Sequence, residues 1–175
     1  MPLNFRDLSE LSLSNFEGKG PSDFCTTGLI TPSQNHCAHF VCHVLDLKIG
    51  KPLCGDMQFS TRHTGVTMRV NDVFNYCTVE GFFEKDGIRP AAMTAMNAFF
   101  VVATIKDNLE DRGGAIFMRD NPRKHIGIWL GDSVWNFSNG HHKVVRDSAG
   151  TFFKKMRDAY GGHTTFLYAY RQDII

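Results

Sequence analysis

The sequence predicts an α+β fold in which helices pack on an antiparallel sheet. Apolar residues recur at helical spacing in the first half of the chain, whereas β-branched and aromatic runs of strand length dominate after Pro90. The 175 residues are enough for one domain with a substantial core and few for two. A hydrophobic content of 42% with 21% charged residues is typical of a globular chain. We therefore predict a single domain over residues 1–175.

Three helices are predicted. The clearest begins near His36, where apolar positions recur every three or four residues, and Gly50 and Pro52 end the run. The stretch RVNDVFNYC, which starts at Arg69, predicts a short second helix. A third is expected within the strand-rich half, over residues 152–160, whereas residues 54–65 are expected to form a loop.

Six runs after Pro90 predict strands, because each is bounded by Gly, Asp, Asn or Pro. In chain order they are AFFVVATI, GGAIFM, HIGIWL, SVWNFS, HKVV and TTFLYAY. The tight turn GDS between HIGIWL and VWNFS favours antiparallel pairing of these two neighbours.

Bulk composition excludes several classes of function. A formal charge of +1 gives no general attraction to nucleic acid, so no nucleic-acid partner is expected. The apolar runs fall short of the roughly 20 residues that cross a bilayer, so no membrane span is expected. The N-terminus lacks the apolar core of a secretory signal, which predicts a protein made in the cytoplasm that is exported, if at all, without a cleaved signal. Five cysteines without a CxxC pair fit a reduced protein better than a disulfide scaffold.

The stretch NHCAHFVCHV, residues 35–44, places Cys37 in the first turn of the first helix. Unpaired N–H groups and the helix macrodipole favour a thiolate there, so the pKa of Cys37 is expected to fall. A nucleophilic cysteine also needs a base and a third polar group that orients the base. His125 opens the strand HIGIWLGD, and pairing across the following turn brings Asn136 within reach of it. The alternative interpretation is a small core cysteine and a strand-end histidine.

A metal site is a rival explanation of the same segment. His36, His39 and His43 are three and four residues apart, so neighbouring pairs share a helix face. Such a pair could bind zinc together with His141, His142 or a cysteine. The sequence contains neither HExxH nor paired CxxC motifs, and hydrogen-bonded structural histidines are the simpler interpretation. We therefore predict no metal ligand.

Three blocks of the chain resemble the papain-like NlpC and CHAP cell-wall hydrolases. They are C-x-x-F-V-x-x-V from Cys37, GGAIFM from Gly113 and HIGIWLGD from His125. The resemblance spans about residues 34–138 and keeps the order of cysteine, histidine and polar residue. It implies a papain-like fold in which Cys37 is the nucleophile, His125 the base and Asn136 the third member, with no cofactor. The chain departs from the family at His36, where Asp, Asn or Gln is common, and at Gly114, which replaces the Asp of a GD pair.

The resemblance also implies a substrate and a partner. The substrate would be a peptide or amide bond of bacterial peptidoglycan. A small hydrolase without a signal peptide would fit either phage-type lysis or an antibacterial effector that acts in the periplasm of target cells, and we favour the effector. An immunity protein that plugs the cleft would then be expected. Four residues are predicted to bind substrate: Gln34, Asn35, Arg123 and Trp129. The N–H of Cys37 is the first expected oxyanion donor, with Gln34 or Asn35 as a second.

Two other functions stay open. CAHFV, residues 37–41, resembles the NCEHFV motif of the lecithin–retinol acyltransferase type of enzyme. The histidine precedes the cysteine in that group but follows it here, so hydrolysis is favoured. An acyltransferase or a protein-modifying thiol enzyme is the alternative. A histidine-rich metal-binding module is the second alternative.

Overall fold

A computed structural model describes residues 3–31, 34–57 and 64–171 of the chain. The fold is α+β, as the sequence predicts, and all its strand pairs are antiparallel. The helices are α1 (Glu10–Ser14), α2 (Pro21–Phe24), α3 (Cys37–Leu45), α4 (Val70–Tyr76) and α5 (Ala149–Tyr160). The strands are β1 (Val79–Phe82), β2 (Ala98–Ile105), β3 (Leu109–Arg112), β4 (Ala115–Met118), β5 (Lys124–Leu130), β6 (Ser133–Ser138), β7 (Lys143–Ser148) and β8 (Thr164–Tyr170).

Six strands form the main sheet in the order β1-β8-β2-β5-β6-β7, and β3 pairs with β4 in a separate hairpin. The three predicted helices correspond to α3, α4 and α5, and the six predicted strands to β2, β4, β5, β6, β7 and β8. Helix α5 begins before the predicted residue 152, because the Ser148 hydroxyl accepts a hydrogen bond from the Thr151 N–H and caps the helix there. Helices α1 and α2 and strands β1 and β3 were not predicted.

The two faces of the sheet carry separate apolar clusters. Helix α3 packs on the face formed by Ile126, Ile128 and Leu130 of β5. Helix α5 covers the opposite face, where Trp129 of the same strand meets Phe152 and Phe153. The side chains of HIGIWL therefore alternate between the two apolar clusters, as expected for a strand buried on both faces.

The N-terminal segment forms part of the core, although the sequence analysis assigned it no element. Phe5, Leu8 and Leu13 are buried, and Phe5 packs edge-on against Phe100 of β2 with ring centroids 4.8 Å apart. Further along the segment, the Gly18 N–H donates to the Val144 carbonyl, and the Val144 N–H donates to the Lys19 carbonyl. The segment therefore pairs with the outer edge of β7.

None of the helices in the described part of the chain has the length and hydrophobicity that a bilayer crossing requires.

Candidate functional site

Cys37 is the first residue of α3, and Asn35 fixes its position. The Asn35 Oδ1 accepts hydrogen bonds from the Cys37 N–H at 3.0 Å and from the Asn139 Nδ2 at 3.1 Å. The Asn35 Nδ2 donates to the Lys124 carbonyl at 3.4 Å. One amide therefore joins the start of α3, the start of β5 and the turn after β6. The Cys37 N–H, expected to stabilise an oxyanion, is instead satisfied by Asn35.

The thiol of Cys37 is 1% exposed and electrically neutral at neutral pH. Burial raises its pKa from 9.0 to about 11, while the backbone N–H groups of Ile126 and Ala38 oppose the rise. The expected lowering of this pKa is therefore wrong for this structure, because loss of hydration outweighs the N–H groups at the helix start. The contact with Ile126 is informative, since this residue directly follows His125 in β5.

His125 belongs to a buried polar chain on the α5 face of the sheet. Its Nε2 lies 3.0 Å from the Asn136 Oδ1, and the Asn136 Nδ2 donates to the Asp147 Oδ2 at 3.1 Å. The Lys155 Nζ donates to the other oxygen of Asp147 at 2.6 Å. Because the amide nitrogen of Asn136 faces a carboxylate, its oxygen must accept from His125. The neutral ring thus carries its proton on Nε2 and its lone pair on Nδ1.

The imidazole of His125 is neutral at pH 7. Burial lowers its pKa below the ordinary value of 6.5, although the hydrogen bond with Asn136 and the charge of Asp147 partly offset that effect. The sequence predicts the pairing of His125 with Asn136 but does not predict the contacts of Asp147 and Lys155. The sequence does not predict the role of Asp147, because only the register between β6 and β7 brings it to Asn136. A lone Asp in a polar strand carries no signal of burial.

Cys37 and His125 meet the same stretch of β5 from different sides. Cys37 belongs to the α3 layer, whereas the His125 ring packs 5.8 Å from the ring of Phe152 in α5. No hydrogen bond joins the thiol to the imidazole among the contacts of these two described residues. The structure therefore places both groups at the start of β5 without a hydrogen bond between them.

Each group lines its own cavity. Cys37, Asn35 and Arg123 line a cavity of about 440 Å³, and His125, Asn136 and Tyr160 line another of about 410 Å³. Burial raises the pKa of Tyr160, and the charge of a Cys37 thiolate raises it further. The charge of a Cys37 thiolate therefore reaches Tyr160 in the second cavity, although Cys37 itself lines the first.

The predicted substrate-binding residues fall into two groups. Asn35 and Arg123 are exposed at the Cys37 cavity, and Gln34 is half-buried just before them in the chain. Trp129 is instead 1% exposed, stacks on Phe99 with centroids 5.6 Å apart and donates from Nε1 to the Gly131 carbonyl. Its face of β5 is covered by α5, which corrects the expectation that it binds substrate.

The histidines of α3 form a cluster apart from both cavities. His39 and His43 approach each other at Nε2, 3.1 Å apart, and their neighbours are Cys25 and Cys54. These four residues offer the ligand atoms of a metal site, which the sequence analysis did not predict. His141, a candidate ligand from the sequence, hydrogen-bonds to Ser138.

Comparison of the chain with protein-family profiles, with curated proteins and with solved structures finds no match in any of the three.

Proposed function

We propose that the protein is a papain-like thiol hydrolase in which Cys37 is the nucleophile, His125 the base and Asn136 the residue that orients the base. The observation that carries the proposal is the chain from His125 through Asn136 to Asp147, together with the position of the Cys37 sulfur beside Ile126. A base held by a polar side chain and a thiol at a helix start are the groups that covalent acyl transfer needs, and here both lie at the same end of β5.

The protonation states support this division of roles. The neutral Cys37 thiol carries the proton that must be removed, and the neutral His125 offers a lone pair at Nδ1. In the proposed reaction, Nδ1 takes the proton, the thiolate attacks the substrate carbonyl, and the imidazolium then protonates the leaving amine. Water, deprotonated by the same nitrogen, hydrolyses the thioester. Asp147 stabilises the imidazolium through Asn136.

The proposed catalysis requires the two groups to come together. Since no hydrogen bond joins them in this structure, substrate entry must bring the Cys37 Sγ to the Nδ1 of His125. In a site that is almost fully buried, a preformed ion pair would require two charges to be removed from water. A neutral pair avoids that desolvation cost. The thiolate would then exist only while substrate is bound.

The proposed substrate is a peptide or amide bond of bacterial peptidoglycan, and it rests on the resemblance to cell-wall hydrolases together with one feature of the cavity. Arg123 lines the cavity beside Cys37, and a guanidinium can bind a free carboxylate of a wall peptide with two hydrogen bonds. Arg69 and Lys124 line it too, but both form ion pairs with Asp120. An antibacterial effector with a cognate immunity protein fits this substrate.

The test is mass spectrometry of the muropeptides that purified sacculi release. Wild type should produce new amine-terminated fragments, and Cys37→Ala and His125→Ala should not. Cys42→Ala is the matched control, because Cys42 is equally buried in the same helix and lines neither cavity described above. Equal cleavage by wild type and Cys37→Ala would refute the nucleophile. Intact sacculi combined with an acyl adduct on Cys37 would instead favour the acyltransferase alternative.

A further inference from the structure

We propose that Cys25, His39, His43 and Cys54 together bind one Zn²⁺ ion, at a site distinct from the proposed catalytic residues. The four come from three separate elements. Cys25 directly follows α2, the two histidines lie one turn apart on α3, and Cys54 begins a 3₁₀ turn over Cys54–Met57. Their ligand atoms all lie within 4.8 Å of one another.

The separations of these atoms match the edges of a tetrahedron around zinc. Bonds of about 2.3 Å to sulfur and about 2.05 Å to nitrogen require separations of about 3.8 Å for S···S, about 3.3 Å for N···N and about 3.6 Å for S···N. The two sulfurs are 3.8 Å apart, the two Nε2 atoms are 3.1 Å apart, and the Cys54 sulfur lies 3.8 Å from the Nε2 of His43. No two ligand atoms are more than 4.8 Å apart, so a shift of about 1 Å at the widest separation completes the tetrahedron.

A second layer of hydrogen bonds presents the lone pair of His39 to the cluster. The Thr31 carbonyl can only accept, so His36 donates to it from Nε2, at 2.9 Å. In neutral His36 the Nδ1 is then the acceptor of the 2.9 Å bond with the Nδ1 of His39. His39 therefore carries its proton on Nδ1, and its Nε2 is left to bind a metal. Outer partners of this kind orient the histidine ligands of zinc sites.

The surroundings of the two sulfurs also fit bound thiolates. The Val66 N–H donates to the Cys54 sulfur at 3.2 Å, and the Cys25 sulfur lies 3.0 Å from the hydroxyl of Thr27. Gly65 passes so close that a β-carbon there would lie 2.1 Å from the Cys54 sulfur. The backbone at Gly65 thus packs tightly against this atom.

The ligand set identifies both the metal and its role. Two thiolates and two imidazoles in tetrahedral positions select Zn²⁺ among the common divalent metals. Four protein ligands leave no position for water or substrate, which makes the site structural. The ring of Phe24 covers the histidines at 5.4 and 5.5 Å, so the site is also shielded. Zinc would tie α2 and the 3₁₀ turn over Cys54–Met57 to α3, the helix that begins with Cys37.

The experiment measures zinc by elemental analysis in protein purified with a phosphine reductant and without chelators. Wild type should contain about one zinc per chain, and Cys54→Ala and His39→Ala should lose it. Cys42→Ala and Cys37→Ala should keep it, and the second variant separates this proposal from the catalytic one. Wild type with less than about 0.2 zinc per chain after incubation with Zn²⁺ would overturn the proposal.

A second measurement covers the case in which the ligand variants fail to fold. Wild type stripped of metal should take up one equivalent of Co²⁺ and develop the visible absorption bands of tetrahedral thiolate coordination, and Zn²⁺ should abolish them. Denaturing mass spectrometry gives the competing result. In protein purified without reductant, a mass lower by two hydrogens with Cys25 joined to Cys54, together with no zinc by elemental analysis, would show a disulfide and refute the site.

Discussion

The protonation state of Cys37 can be measured through its effect on stability. Its pKa rises from 9.0 to about 11 on folding, so the unfolded chain loses this proton first as the pH increases. The unfolded state is then favoured, and stability falls as the pH passes 9. With about 1.4 kcal/mol for each unit of pKa shift, wild type should lose about 1.4 kcal/mol by about pH 10 relative to a variant without the thiol.

The assay is urea unfolding of wild type and Cys37→Ser at about pH 7.5 and about pH 10, with reductant present. Subtracting the two proteins removes the contribution of every other titrating group, because the serine hydroxyl does not ionise in this range. The difference between them should decrease by about 1.4 kcal/mol. A difference that increases with pH would show a stabilised thiolate, which means a preformed ion pair with His125 and would refute the neutral resting pair.

Three other outcomes follow from the same geometry. Burial lowers the pKa of His125, so the unfolded chain binds a proton there first as the pH falls below 6.5, and the stability of the folded protein should decrease. In urea unfolding at about pH 5.5, His125→Gln should show a smaller decrease than wild type. Gly127→Ala should lower the free energy of unfolding, measured by thermal unfolding, by about 1–3 kcal/mol. An added β-carbon would lie 2.8 Å from the Val134 side chain and 2.9 Å from the Trp135 carbonyl, both in β6. Gly150→Ala is the control and should cause no such loss, because open space surrounds that position. Lys155→Met should lower the free energy of unfolding by about 1–3 kcal/mol, because it leaves the buried carboxylate of Asp147 in β7 without its cation. Lys154→Met, which breaks an exposed ion pair, should change it by less than about 0.5 kcal/mol. Equal effects of the two substitutions would contradict a buried network.

The sequence was sufficient where the pattern of side chains is itself the cause of the structure. The strands that carry HIGIWL and SVWNFS were predicted because their alternation and turn residues leave few other arrangements. The same alternation predicted that His125 and Asn136 meet, since they lie on one face of paired strands. Local chemistry and pairing across one turn are enough for this part of the candidate site.

Contacts between distant segments were beyond such reasoning. Cys25 and Cys54 are 29 residues apart, and neither flanks a recognisable motif, so only the folded chain shows that both meet His39 and His43. The pKa of Cys37 is raised, contrary to the sequence-based prediction, for a related reason. A helix start lowers the pKa of an exposed thiol, but the neighbours that bury this one come from other parts of the chain.

The pairing of Gly18 and Lys19 with β7 has a consequence for solubility. Without these two residues, the outer edge of β7 would present unsatisfied backbone groups at Val144, in a sheet whose neighbouring strand is largely apolar. Exposed edges of this kind recruit strands from other molecules and lead to aggregation. The N-terminal segment therefore covers the edge of the sheet at Val144, and we expect shortened chains that begin after residue 19 to aggregate more readily.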